Sequence, residues 1–214
     1  MIGFHAKPAV ARPIITLILT HPTNNLDFER PGSSRICRAN WRQPPVACDD
    51  KLWLYTKSGY APRDLEMDKR SQVKFSNSGA LDEEDNTILE AGFIGRGHTH
   101  YILGGGFLDL CLSSTFESLV RLASKKRERL VVFGALPIIY SPADLNRADY
   151  LRNGNAYSQF LFHAFRDRKI TGYSIYYDGE LIARSVGHEK ISLSWHTTLA
   201  ELIASPLWLN PDGR

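Results

Sequence analysis

The feature that most constrains the fold lies between Thr99 and Tyr140, where a short apolar run ending in glycines (THYILGG), an amphipathic stretch and a second apolar run (RLVVFGALPIIY) follow one another. In the middle stretch Leu112, Phe116, Leu119, Val120 and Ala123 recur at three- and four-residue steps, which puts them on one face of a helix from Cys111 to Lys125. Strand, helix and strand in that order make a crossover between parallel strands. Parallel strands are covered on both faces, so they read as continuous apolar runs. IITLILT, Ile14 to Thr20, is such a run and is expected to be another central strand.

The rest of the chain repeats the alternation. KLWLYTK, Lys51 to Lys57, reads as a second strand and SQVKF, Ser71 to Phe75, as a brief extended piece. Asp82, Glu83, Glu84 and Asp85 open a helix running to about Ala91, their charges suiting its N-terminal dipole. Asn155 to Phe165 reads as an apolar-faced helix and His196 to Ala204 as a terminal one. GYSIYYDGELIARS reads as a hairpin turning at Asp178-Gly179, with Tyr173, Tyr176 and Tyr177 packed at a sheet edge. His21 to Asp50 is irregular, with one short helix around Ser33 to Trp41. The expected fold is α/β: a mostly parallel central sheet with helices on both faces, Rossmann-like, plus a C-terminal β-hairpin, all in one domain over residues 1–214.

Bulk properties narrow the function. An apolar fraction of 43% with 23% charged residues is that of a chain able to bury a core without staples. The net charge of +3 is dispersed, and the basic run Lys125, Lys126, Arg127 and Arg129 falls where a helix ends, so nothing demands nucleic acid. Cys37, Cys48 and Cys111 form neither a disulfide framework nor a metal pair, which points to a reducing, cytoplasmic setting. The run Ile14 to Leu19 is too short for a membrane span, and no membrane association is expected.

The chemistry gathers in GGGFLDLCLSST. A strand ending in glycines and followed by a helix places the Cys111 thiol at a helix N-terminus beyond the carboxyl end of a central strand, where open parallel sheets hold their ligands. There the helix dipole favours the nucleophilic thiolate. Gly105 and Gly106 let a substrate approach the backbone, and N–H groups around Leu110 and Cys111 suit a tetrahedral oxyanion. A free cysteine is more often a small buried hydrophobe, and spacing alone favours that reading. His98 and His100, at alternate positions on a strand, are a candidate metal pair, but no third ligand is evident, so neither metal nor cofactor is expected.

Lys74, Ser78, Thr87, Leu89, Gly105, Asp109, Cys111 and Thr115 occur in the order and spacing of a known pattern. Through them the stretch from Ile14 to Tyr140 resembles the isochorismatase-like cysteine hydrolases. The resemblance implies that Cys111 is the nucleophile and that Lys74 sits beside it, stabilising the thiolate. It also implies a structural role for Asp109. The family's third member, an Asp at the end of the first strand acting as base, falls here at Thr20, followed by His21. Three explanations of that departure stand: His21 serves as base, Asp27 reaches back from its loop, or ordinary hydrolysis has been abandoned.

The expected function is therefore a hydrolase in which Cys111 attacks an amide or related carbonyl of a small molecule and forms an acyl-enzyme. The alternatives are a Cys-dependent acyltransferase, its donor a thioester or an aminoacyl-tRNA and its acceptor an amine, and a member of the fold that binds or isomerises without cysteine chemistry. A tRNA partner belongs to the acyltransferase alone. Trp41, with Arg35, Arg38 and Arg42, equips the loop after the first strand to meet an anion or a flat ring. The hairpin leaves a homo-oligomer open.

Overall fold

The computed structural model describes residues 13–21, 48–55, 71–81, 98–106, 108, 110–139 and 171–204. Its strands are β1 (Ile15–Thr20), β2 (Asp50–Tyr55), β3 (Ser71–Phe75), β4 (His100–Gly105), β5 (Leu130–Ile139), β6 (Tyr173–Tyr177), β7 (Glu180–Arg184) and β8 (Ile191–His196). Helix α1 (Cys111–Lys126) lies between β4 and β5, and α2 (Leu199–Ala204) follows β8. The strands form one eight-stranded sheet in the order β3-β2-β1-β4-β5-β8-β6-β7. Neighbours run parallel throughout, except that β6 and β7 are antiparallel. This is a mixed, mostly parallel α/β sheet.

Burial explains why the strand residues read as they do. Every residue of β1, β4 and β8 is buried, as expected for strands with a neighbour on each side and cover on both faces. One face carries Thr16, Ile18, Thr20, Tyr101, Leu103, Val132 and Trp195, and α1 lies against it through Leu112, Phe116, Leu119 and Val120. Gly134 is a glycine because Trp195 occupies its side-chain space: a β-carbon there would lie 2.6 Å from the indole Cε3. The α1 helix ends at Arg127 in the left-handed region, and Lys125 and Lys126 occupy its last turn, as their charge predicts.

The strand Ile191–His196 departs from expectation, since the sequence placed a helix from His196. ISLSWH alternates polar and apolar residues, which is the mark of a half-exposed strand, yet both its faces are buried. The helix begins only at Leu199, where Thr198 and Glu201 close a capping box: the Thr198 N–H donates to Glu201 Oε2 at 2.8 Å and the Glu201 N–H to Thr198 Oγ1 at 3.1 Å. The hairpin turns where expected, with Asp178 and Gly179 both at positive φ. Asp178 also accepts from the Thr197 N–H at 2.7 Å and the Thr197 hydroxyl at 2.6 Å, fastening the turn to the end of β8. The expected helices at 33–41, 82–91 and 155–165 lie outside the described residues.

Candidate functional site at the strand-order reversal

The chain winds outward from β1 in both directions, through β2 and β3 on one side and β4 and β5 on the other. At such a reversal the loops leaving the two central strands part, opening a crevice at their carboxyl ends. Those ends are Thr20 and His21 on β1, and Gly105 and Gly106 on β4, with Cys111 opening the helix that follows β4. Cys111 is the first residue of α1 and is half-buried. No side-chain hydrogen bond caps the helix, its first turn carries no acidic residue, and its N-cap residue Leu110 is 60% exposed, so among the described residues the positive end of the dipole is not offset by a cap or a first-turn carboxylate. Cys48 makes the contrast, because burial pushes its thiol up to about 11, with Lys51 drawing it down and Asp49 up.

The turn after β3 holds the start of α1 in place. Gly79, at φ +79, lies so close that a β-carbon would be 2.9 Å from the Cys111 carbonyl carbon and 3.0 Å from its Cβ. Thr115, one turn along the helix, donates its hydroxyl to Gly79 O at 2.7 Å, with the Cys111 carbonyl also in reach at 3.1 Å. Thr20 Oγ1 lies 2.7 Å from Thr115 Oγ1 and supplies that oxygen with a proton. Further along, the Leu81 N–H donates to Ser118 Oγ at 2.9 Å.

Thr20, counted in the sequence among the substrate-binding candidates, is fully buried, and its side chain ties β1 to α1. The Gly106 N–H is taken up in the sheet, donating to Thr20 O at 2.9 Å. Gly105 takes a φ of +88 against the backbone of Thr20, which seals the two strand ends together. Thr115→Val strands the Thr20 hydroxyl and the Gly79 carbonyl together and is expected to cost about 2 kcal/mol, while Thr20→Val costs about 1. Urea unfolding of both variants and the double variant should show a coupling of about 1 kcal/mol.

Lys74 and His21 approach from the β3 side. The register sets Lys74, Leu54, Thr20 and Gly105 in one row across β3, β2, β1 and β4, on the face that α1 covers. Lys74 is thus two strand spacings, roughly 10 Å, from Thr20. His21 has a φ of +46, rare for a residue with a side chain. Its N–H donates to Leu54 O at 2.8 Å and its ring Nε2–H to Ser76 O at 2.7 Å. With the proton on Nε2, the neutral ring presents its lone pair at Nδ1. Ser76 was not singled out in the sequence, and a serine after a short strand carries no signal that its carbonyl will fix a histidine 55 residues away.

Asp27, Trp41, Asp109, Thr87, Leu89 and Cys37 lie outside the described residues. The histidine pair does not share a face. His98 precedes β4, so strand alternation does not reach it; its Nδ1 lies 3.0 Å from Thr16 Oγ1 and 3.7 Å from Asp50 Oδ2 on the α1 face. His100 points to the opposite face, where its ring stacks on Phe133. Among the described residues no three His, Cys, Asp or Glu side chains are grouped to hold a metal. No described helix is long and apolar enough to cross a membrane.

No family model matches the chain, and no curated protein matches it. Among solved structures it is similar to a protein from Leishmania major described as a "putative Mar1 ribonuclease", at 9% identity and a TM-score of 0.49, over 92% of this chain and 88% of that one.

Proposed function

We propose that the chain is a divergent isochorismatase-like enzyme, its sheet covered by helices on both faces, that uses Cys111 as a nucleophile on an amide or related carbonyl of a small molecule. The observation that carries the proposal is the position of Cys111, first in an uncapped helix and directly beyond β4, at the strand-order reversal. The Cys111 thiol gives its proton to His21 Nδ1 and its sulfur attacks the carbonyl carbon. The dipole of α1 and its first N–H groups meet the charge that develops on oxygen. Collapse expels an amine, which takes the proton back from the imidazolium, and leaves an acyl thioester. Water then adds to the thioester through the same base, releasing the acid and restoring the thiol.

His21 stands in for the carboxylate that the resemblance places at Thr20. Its left-handed backbone and the Ser76 carbonyl hold one orientation and one tautomer, the work a carboxylate does for a catalytic imidazole. A second reading draws on Thr20 itself. With that hydroxyl tied to Thr115, Thr20 itself offers little to activate water where the resemblance places a carboxylate, and transfer of the acyl group to an amine needs less help.

The test is the pH dependence of Cys111 alkylation, read by mass with Cys37 and Cys48 as internal controls. Cys111 is expected to react at lower pH than Cys48, and Lys74→Ala to move its profile upward. Slow alkylation of Cys111 at every pH, indifferent to Lys74, would end the proposal.

A further inference from the structure

At the other end of the sheet, where β6 and β8 begin and β7 ends, lies a cavity of about 240 Å³ lined by Tyr173, Ser174, Arg184, Ser185, Gly187 and Glu189. It holds an opposite pair of charges that do not meet. Ser174, 1% exposed, donates its hydroxyl to Glu189 Oε2 at 2.6 Å and accepts from Arg184 Nε at 3.4 Å. Arg184 and Glu189 form no ion pair among the described residues, so the serine holds them apart rather than letting them neutralise each other. The terminal guanidinium nitrogens and the second carboxylate oxygen are left for a guest.

The frame around them is fixed. Arg184 and Ser174 are register partners in the hairpin, the Ser185 N–H donates to Tyr173 O at 3.0 Å, and the Tyr173 N–H to Ser185 Oγ at 2.9 Å. Gly172, at φ +78, sits against the carbonyl of His188 and closes the loop that carries Glu189. The polar row continues inward to Ser192, the register partner of Ser174 on β8, which is 1% exposed and has no hydrogen-bond partner for its hydroxyl among the described residues.

A guest that satisfies both ends must carry an anion and a cation a few bonds apart and have no net charge. A plain anion leaves Glu189 opposed to it, and a plain cation leaves Arg184 so. A guanidinium fork is shaped for a carboxylate, and a carboxylate accepts from an ammonium. We propose that this cavity binds the head group of a free α-amino acid, with the carboxylate on Arg184 and the ammonium on Glu189. The site is independent of the Cys111 proposal, since it lies at the amino ends of β6 and β8 whereas Cys111 lies beyond the carboxyl end of β4.

The experiment titrates the full chain with glycine, and separately with acetate and methylammonium, following backbone amide shifts by NMR. Glycine is expected to move the amides of residues 172–175 and 184–189, and to bind about tenfold more tightly than either half-ligand. Arg184→Gln and Glu189→Gln should each weaken glycine by about tenfold as well. Acetate matching glycine would reduce the site to an anion contact and overturn the proposal, as would shifts lying elsewhere or undiminished glycine binding in Glu189→Gln. Should a variant fail to fold, the comparison of glycine with its two halves on the unaltered chain decides alone.

Discussion

Lowering the pH from 7 to 4 is expected to remove on the order of 3 kcal/mol of folding stability through His100 alone. Its ring is 1% exposed on the sheet face opposite α1, and burial, with the charge of Arg129 adding to it, lowers its pKa from 6.5 to about 4. An unfolded chain takes up that proton near 6.5 and the folded chain resists it until about 4. The unfolded state therefore binds more protons across that window. Stability is whole above about 6.5 and falls steadily as the pH descends to about 4.

His196 acts in the same sense. Burial lowers its pKa, and Asp178 and Glu201 oppose the shift in part. The two rings flank Phe133, with centroids 6.4 and 6.3 Å from it, so charging either places a cation among stacked apolar rings. Urea midpoints measured from pH 7.5 to 4 would show the slope. In His100→Leu the slope should flatten, and below pH 5 that variant should be more stable than the native chain, because Leu adds no charge beside Ile15 and Val131. An unchanged slope in the variant would move the acid sensitivity elsewhere.

Gly105→Ala is expected to be the most damaging single methyl that the site can receive. The residue needs φ +88, which costs a residue with a side chain about 1–2 kcal/mol, and the new carbon would come within 2.8 and 2.9 Å of the carbonyl carbon and nitrogen of Thr20. These are backbone atoms of a central strand and cannot swing aside, so overpacking adds roughly 1–3 kcal/mol more. The combined loss should reach about 4 kcal/mol in urea unfolding. Cys111 alkylation in the fraction that stays folded would report whether the mouth between β1 and β4 has widened. Gly179→Ala is the control: it also has positive φ, but nothing lies within 4 Å of its missing side chain, so it should lose only the conformational part.

Much of the sheet was legible because its strands are apolar on both faces. β1, β2, β3, β4 and β5 fall within one or two residues of the runs that announce them, and α1 begins at the cysteine its periodicity assigns. β8 was illegible for a physical reason. Ser192, Ser194 and His196 are buried beside one another, and Ser194 Oγ lies 2.9 Å from His196 Nε2, so polar side chains fill a face that composition would give to solvent. The site was legible in its chemistry and not in its ties. Cys111, Lys74 and His21 stand out as reactive types, whereas Thr115, Gly79 and Ser76 matter through contacts made across 36, 55 and 95 positions of sequence. Local patterns carry no record of such distances.

The place of β8 between β5 and β6 bears on how the chain is made. A ribosome delivers β1 to β5 first, and those strands are expected to assemble with one flank of β5 bare, because its neighbour is the last of the described strands to emerge. Until Ile191 to His196 arrive, the nascent chain offers a buried-type, apolar strand to any extended segment nearby, the situation in which unfinished chains pair with one another. The hairpin cannot relieve this, since β6 joins the sheet only through β8. A chain interrupted anywhere before Ile191 is thus expected to be a partner for aggregation and for chaperones rather than a smaller version of the domain.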